Sequence, residues 1–154
     1  MAILHNLKIK NFRGVSEFNQ NFSKGLTCII GRGDSGKSTI LDAISLVLSP
    51  SWSINFFDSD FYNSNTENPI EIEATLKNLP DTLLTKFGLY VRVISDERED
   101  IIDDMESEAG RNSNPALTIR LTVTKYLEPI WTVVTNRHQE PISISASDRA
   151  LINA

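Results

Sequence analysis

Between Ile3 and Phe12 the apolar residues Ile3, Leu7, Ile9 and Phe12 stand among polar neighbours, a spacing that predicts a strand ending near Asn11-Phe12-Arg13-Gly14. Gly14 is read as the residue that permits the turn. Val15 to Phe22, with Phe18 and Phe22 among polar residues, reads as the hairpin partner. Ser23-Lys24-Gly25 then turns the chain into the apolar run Leu26-Thr27-Cys28-Ile29-Ile30, a buried strand. Ile40-Leu41-Asp42-Ala43-Ile44-Ser45-Leu46-Val47-Leu48 reads as a buried helix over Ser38 to Leu48, stopped by Ser49-Pro50.

The second half reads mostly as strand. Ser51 to Asn68 is a polar connector with Trp52, Phe56, Phe57, Phe61 and Tyr62, aromatics suited to pin a loop or short helix. Ile70-Glu71-Ile72-Glu73-Ala74-Thr75-Leu76 alternates as a half-buried strand whose carboxylates face solvent. Pro80 to Gly88 has an acidic start and a terminal glycine, the punctuation of a short helix, and Leu89 to Ile94 reads as a further strand. Ser95 to Asn114 is charged and rich in glycine and asparagine, which predicts a mobile surface insertion. Leu117–Val123 and Ile130–Val134 read as strong strands joined by a turn at Leu127-Glu128-Pro129, and Ile142 to Ile144 extends the meander. No internal repeat or low-complexity tract is visible.

Between the third strand and the helix lies Gly31-Arg32-Gly33-Asp34-Ser35-Gly36-Lys37-Ser38, which fits GxxxxGK[ST] in the strand-to-helix context that a phosphate cradle requires. Gly31, Gly33 and Gly36 let successive backbone N–H groups approach phosphate oxygens where a side chain would obstruct. The positive end of the following helix favours the same anion. Lys37 is placed to reach the β and γ phosphates, the Ser38 hydroxyl to ligate Mg²⁺, and Thr39 to meet the α phosphate.

A chain of 154 residues with 40% hydrophobic content supports one domain with a real core. A net charge of -5 argues against a basic surface dominating it, so any nucleic-acid contact must be local or lie in another segment. Cys28, the single cysteine, excludes an intramolecular disulfide and reads as a reduced, buried thiol, pointing to a cytoplasmic setting. No apolar run approaches the ~20 residues that span a bilayer, and no export signal is visible.

The turn at Ile9–Gly14, the second strand and the stretch Ile30–Ile44 together resemble the start of an ABC-type ATPase head of the RecF, Rad50 and SMC group. Leu48-Ser49-Pro50, Phe57-Asp58-Ser59-Asp60-Phe61-Tyr62, Pro115–Val123 and Ser147–Asn153 narrow the resemblance to the OLD-family ATP-dependent endonucleases. The likeness spans nearly the whole chain. It implies an ATP- and Mg²⁺-binding head that dimerises, joined to a C-terminal Toprim domain that cuts DNA; residues 1–154 hold only the first part, and DNA would be reached through the missing regions. It also implies that Arg13, at the end of the first strand, lies near the nucleotide. The family often has asparagine where Gly33 stands, a swap that removes one side-chain contact across the dimer and leaves the backbone cradle intact.

Hydrolysis in such heads also needs a Walker B aspartate, a catalytic glutamate and a signature motif. Val91-Arg92-Val93-Ile94-Ser95-Asp96-Glu97 imitates the first, but Arg92 and Ser95 interrupt what should be a buried parallel strand. Ile101-Ile102-Asp103-Asp104 offers only two apolar residues in an acidic run, and both sets of carboxylates read as solvated loops. Asp58-Ser59-Asp60 copies the spacing of a Toprim metal pair without a third acid. His5 and His138 read as ordinary surface histidines and give no zinc site. Gln139 reads as part of a hairpin turn and Trp131 as core or sheet surface.

The fold expected is α/β: a P-loop NTPase, part of an ABC-type head, with the phosphate loop on a central strand, one long helix behind it and an antiparallel β subdomain. Two other functions fit the motif. A small P-loop phosphotransferase, with Asp96 or Asp103 at the metal, is disfavoured because two strands precede the cradle. A truncated nucleotide-sensing interaction module is the third.

Overall fold

The computed structural model describes residues 2–22, 37–51, 54–95, 101–102, 113–135 and 140–152. Its frame is an antiparallel sheet. Strands β1 (Ile3–Phe12), β2 (Val15–Asn21), β3 (Ile70–Lys77), β4 (Arg92–Ser95), β5 (Ile101–Ile102) and β6 (Ser113–Val123) run in the order β2-β1-β3-β6-β4-β5. Strand β7 (Pro129–Val134) pairs with β6, and β8 (Ile142–Ser143) pairs with β7. Every pairing between these strands is antiparallel.

Register decides which side chains are buried. Ile9, Ile72, Leu121 and Trp131 stand opposite one another across β1, β3, β6 and β7, and Leu7, Ala74, Ile119 and Val133 form the next apolar row. All eight are buried. Helix α1 (Lys37–Val47) lies on this face and inserts Ile40, Ala43 and Val47, spaced to fall on one side of a 3.6-residue helix. Each fully buried branched side chain in these rows contributes about 1.5–3 kcal/mol relative to exposure. The rows between them carry Lys8, Glu73, Arg120 and Thr132 on the other face.

Strand β6 is shared unevenly. β3 runs along one edge, while the other edge is taken first by β4 at Ser113 to Ala116 and then by β7 at Thr118 to Val123. The short helix α2 (Asp81–Lys86) and helix α3 (Ala146–Ile152) flank the sheet.

Several expectations are met closely: the first hairpin, α1, α2 and the strands at Ile70 to Leu76, Leu117 to Val123 and Ile130 to Val134 stand where alternation placed them. Others are corrected. His5 is fully buried rather than at the surface, because a register shift between Leu4 and Asn6 breaks the strict alternation of β1. Residues Gly88–Tyr90 form a 3-10 turn and the strand begins only at Arg92, since Tyr90 turns inward and donates its hydroxyl to the Glu140 carbonyl at 2.5 Å. Gly14 is not the conformational hinge of the first turn; the left-handed backbone belongs to Asn11 (φ 58) and Arg13 (φ 51). Glu73 is not simply solvated, because Arg120 on the adjacent strand binds it at 2.6 Å. Within the expected insertion 95–114, Ile101–Ile102 pair with β4 and β6 already starts at Ser113. Cys28, the strand at Leu26 to Ile30, His138 and Gln139 lie outside the described residues.

Candidate functional site at the start of helix α1

Of the phosphate-loop residues, Lys37, Ser38 and Thr39 fall within the description, as the first turn of α1; Gly31 to Gly36 lie outside it. No acidic side chain occupies that turn. Among the described residues, the positive end of the helix therefore has no carboxylate in its own first turn to compete for it. Ser38 is exposed on the side of α1 opposite Ala43 and Val47, so its hydroxyl is open to a ligand. The exposed face continues through Leu41, Asp42 and Ser45. A helix first turn without a carboxylate and with an outward hydroxyl fits a phosphate-bound magnesium ion.

Arg13 reaches this helix from the β1–β2 turn. Its backbone N–H donates to the Asp60 carbonyl at 2.7 Å, and its Nε donates to Asp60 Oδ1 at 3.1 Å. Nη1 pairs with the carboxylate of Asp42 on α1. The guanidinium also lies over the Phe12 ring, 4.8 Å from its centroid. Asp42 and Asp60 were not signalled as site residues by sequence; only the Asp-x-Asp spacing at 58–60 drew attention to the second. That spacing serves a local end, because Asp60 Oδ2 accepts the Phe57 N–H at 2.9 Å and closes the 3-10 turn Asp58–Asp60. Among the described residues, no group of three or more His, Cys, Asp or Glu side chains is placed to hold a metal.

The far end of α1 is held by two residues from the second half of the chain. Trp131 donates its indole N–H to the Leu46 carbonyl at 3.2 Å. Arg149 on α3 donates to Ser49 O at 2.7 Å, Ser51 O at 2.6 Å and Ile144 O at 2.7 Å. Burial pushes the Arg149 pKa below its ordinary value. Helix α3 is itself tied to α2 by Lys86 and Asp148, 2.8 Å apart. Burial works to raise the Asp148 pKa, yet hydrogen bonds from Lys86 and Ser145, together with the Lys86 charge, hold it below the usual value. Sequence reasoning found neither contact, since an arginine and an aspartate in a short polar segment read as solvated.

The described part of the imitation Walker B segment is not a parallel strand. β4 is antiparallel to both β6 and β5, and Arg92 is buried, donating to Thr118 Oγ1 at 3.0 Å. Asp96, Glu97, Asp103 and Asp104 lie outside the described residues. No helix among the described residues is long and apolar enough to cross a membrane.

Comparison with known proteins identifies the family and the fold. The family described as AAA ATPase domain matches residues 1–146. A DNA double-strand break repair Rad50 ATPase from Methanococcus maripaludis is 33% identical over 84 residues, 54% of this chain and 8% of its own length. An OLD nuclease from Thermus scotoductus is 41% identical over 73 residues, 46% of this chain and 14% of its own length. The chain thus spans a small part of either relative. A solved structure from work on ATP-driven dimerization and DNA stimulated activation of SMC ATPases superposes with a TM-score of 0.58 at 18% identity, over 97% of this chain and 77% of that one. The fold is accordingly α/β, part of a P-loop ATPase head with an antiparallel β subdomain.

Proposed function

This chain belongs to the AAA ATPase domain family, in its Rad50- and SMC-like group, and on that premise we propose that it is the ATP-binding N-terminal part of a DNA-repair-type ATPase. The observation that carries the reading is the first turn of α1, where Lys37 and an exposed Ser38 follow the glycine-rich loop with no acidic side chain among them. Gly31, Arg32, Gly33, Asp34, Ser35 and Gly36 would supply backbone N–H groups, Lys37 the charge on the β and γ phosphates, Ser38 a Mg²⁺ ligand and Thr39 an α-phosphate contact. The bound nucleotide and its magnesium supply the phosphoanhydride chemistry of the family. Arg13 stands over the same helix through Asp42 and is assigned a place beside the nucleotide.

Within the group, the identity with the OLD nuclease favours an OLD-type endonuclease acting on DNA through regions beyond this chain, in line with the resemblance carried by Phe57 to Tyr62. Pairing of two heads around the nucleotide is part of the same reading, as is work in the cytoplasm. The small phosphotransferase is the weaker alternative, because every described strand pairing is antiparallel and the βαβ units of such kinases are not seen among the described residues. Titration of the chain with Mg-ATP tests the proposal. Wild type should bind, and Lys37→Ala should weaken binding by about 10–100-fold without changing the circular dichroism spectrum. Equal affinity in the two proteins would remove the central claim.

A further inference from the structure

Asp60 is anchored to the core on one side and to Arg13 on the other. The residue after it, Phe61, pairs with Phe12 as an isolated antiparallel bridge, and both aromatic side chains are buried. That bridge sets Asp60 against Arg13, the residue that follows Phe12. Arg13 has left-handed backbone there (φ 51), a conformation that a residue with a side chain keeps only where its surroundings hold it. The Asp60 carbonyl does so by accepting the Arg13 N–H at 2.7 Å. The Asp60 carboxylate is divided: Oδ2 closes its own turn on the Phe57 N–H, and Oδ1 accepts the Arg13 Nε–H at 3.1 Å. Of the two carboxylates on Arg13 it is the sheltered one, 15% exposed against 52% for Asp42.

The arm held in this way points at α1. Asp42, which meets Nη1, follows Ser38 by four residues, and both are exposed, so they share one stripe of the helix with Cβ atoms about 5–6 Å apart. Asp60 and Asp42 engage two of the three guanidinium nitrogens, and Nη2 makes no hydrogen bond among the described residues. Two carboxylates outweigh one guanidinium, so the trio does not draw an anion out of solution. What it offers is a pair of N–H groups in a fixed direction, useful to an anion that the phosphate loop already holds.

We propose that Asp60 is a positioning residue, which aims the Nη2 edge of Arg13 at a phosphate group of the nucleotide bound beside Ser38. This role rests on the nucleotide reading above and adds to it the residue that makes Arg13 effective. Without Asp60 the arginine keeps its charge and its pairing with Asp42 but loses its fixed direction. A long exposed side chain that has to be ordered at each binding event contributes far less than one already in place.

Calorimetric titration of Mg-ATP into wild type, Arg13→Ala, Asp60→Ala and the double variant tests it. Arg13→Ala should weaken binding by about tenfold and Asp60→Ala by about three- to tenfold, while the double variant should be no weaker than Arg13→Ala alone, because Asp60 acts through the arginine. A merely structural part for Asp60 would persist in the Arg13→Ala background and make the two losses multiply. Arg13→Lys keeps the charge but has neither an Nε–H for Asp60 nor a second amino group, so it should bind within about twofold of Arg13→Ala. That comparison stands whether or not Asp60→Ala folds. Multiplying losses, or wild-type affinity in Asp60→Ala or in Arg13→Lys, overturn the positioning role and leave the nucleotide reading intact. A wild type that does not bind Mg-ATP overturns both.

Discussion

The guanidinium of Arg149 lies over the indole of Trp131, 4.0 Å from the ring centroid, while that indole donates its N–H to the Leu46 carbonyl at 3.2 Å. Together the pair satisfies backbone oxygens at and beyond the C-terminal end of α1, a place where a helix leaves carbonyls without internal partners. Arg149 is 2% exposed, so water is not a ready substitute. Replacing it with alanine removes the donor from three carbonyls and opens the stacking face. Arg149→Ala should therefore cost about 2–4 kcal/mol, and Arg149→Lys should recover only part, since an ammonium has no planar fork. Thermal unfolding should register the alanine variant as a drop of roughly 5–12 °C.

Arg13 and Asp42 offer a contrasting pair. Their side chains are 38% and 52% exposed, so the stability coupling between them should be small. A double-mutant cycle with Arg13→Ala and Asp42→Asn should return about 0.3–1 kcal/mol in denaturant unfolding. In Mg-ATP binding, Arg13→Ala alone should weaken affinity by about tenfold if the arginine meets the nucleotide. A change below about twofold would leave Arg13 as a clasp between the hairpin turn, Asp60 and α1 and nothing more.

Acid should act on the tie between α2 and α3. The native Asp148 pKa is below the ordinary value, so the fold favours the ionised carboxylate. The resulting stabilisation is complete above the unfolded pKa of about 3.9 and is lost as pH falls through it toward the lowered native value. Urea midpoints measured from neutral to acid pH should show Asp148→Asn less stable than wild type at neutrality. The gap should narrow below about pH 4; a gap independent of pH would assign the effect to packing instead.

Gly14 should accept a side chain. A Cβ built there meets nothing within 4 Å, and its backbone is not in the left-handed region that disfavours L residues. Gly14→Ala is expected to raise stability by about 0.4–1 kcal/mol by restricting the unfolded chain. A loss of more than about 1 kcal/mol in urea unfolding would show that the turn needs glycine after all.

What the sequence reveals follows the range of the interactions. Alternation in Ile70 to Leu76 and Leu117 to Val123 announced both strands, because each strand buries one face against the same core. The spacing of Ile40, Ala43 and Val47 announced α1 in the same way, and the phosphate-loop motif stood out since its chemistry is local to eight consecutive residues. Helix α3 gave no such signal: its buried residues Asp148, Arg149 and Ile152 include two charges, and their burial depends on Lys86, Ser49 and Trp131, far away along the chain. His5 was misread for a related reason, since a register shift is a property of two paired strands and not of either alone. Arg120 and Glu73 meet only once β3 and β6 lie side by side.

The bonds from Arg149 to Ser49 and Ser51 join residues 100 and 98 positions apart, and Trp131 meets Leu46 across 85. During synthesis, the helix that follows the phosphate loop is made early and stays open at its lower end until the chain has been extended past Arg149. Closing so large a loop carries its entropic cost before any of these bonds forms, which ties completion of α1 to the arrival of distant sequence. A nascent chain shorter than this would hold the whole phosphate-loop motif yet lack the anchor for its helix, so the capacity to grip a ligand there should emerge only once α3 has been made.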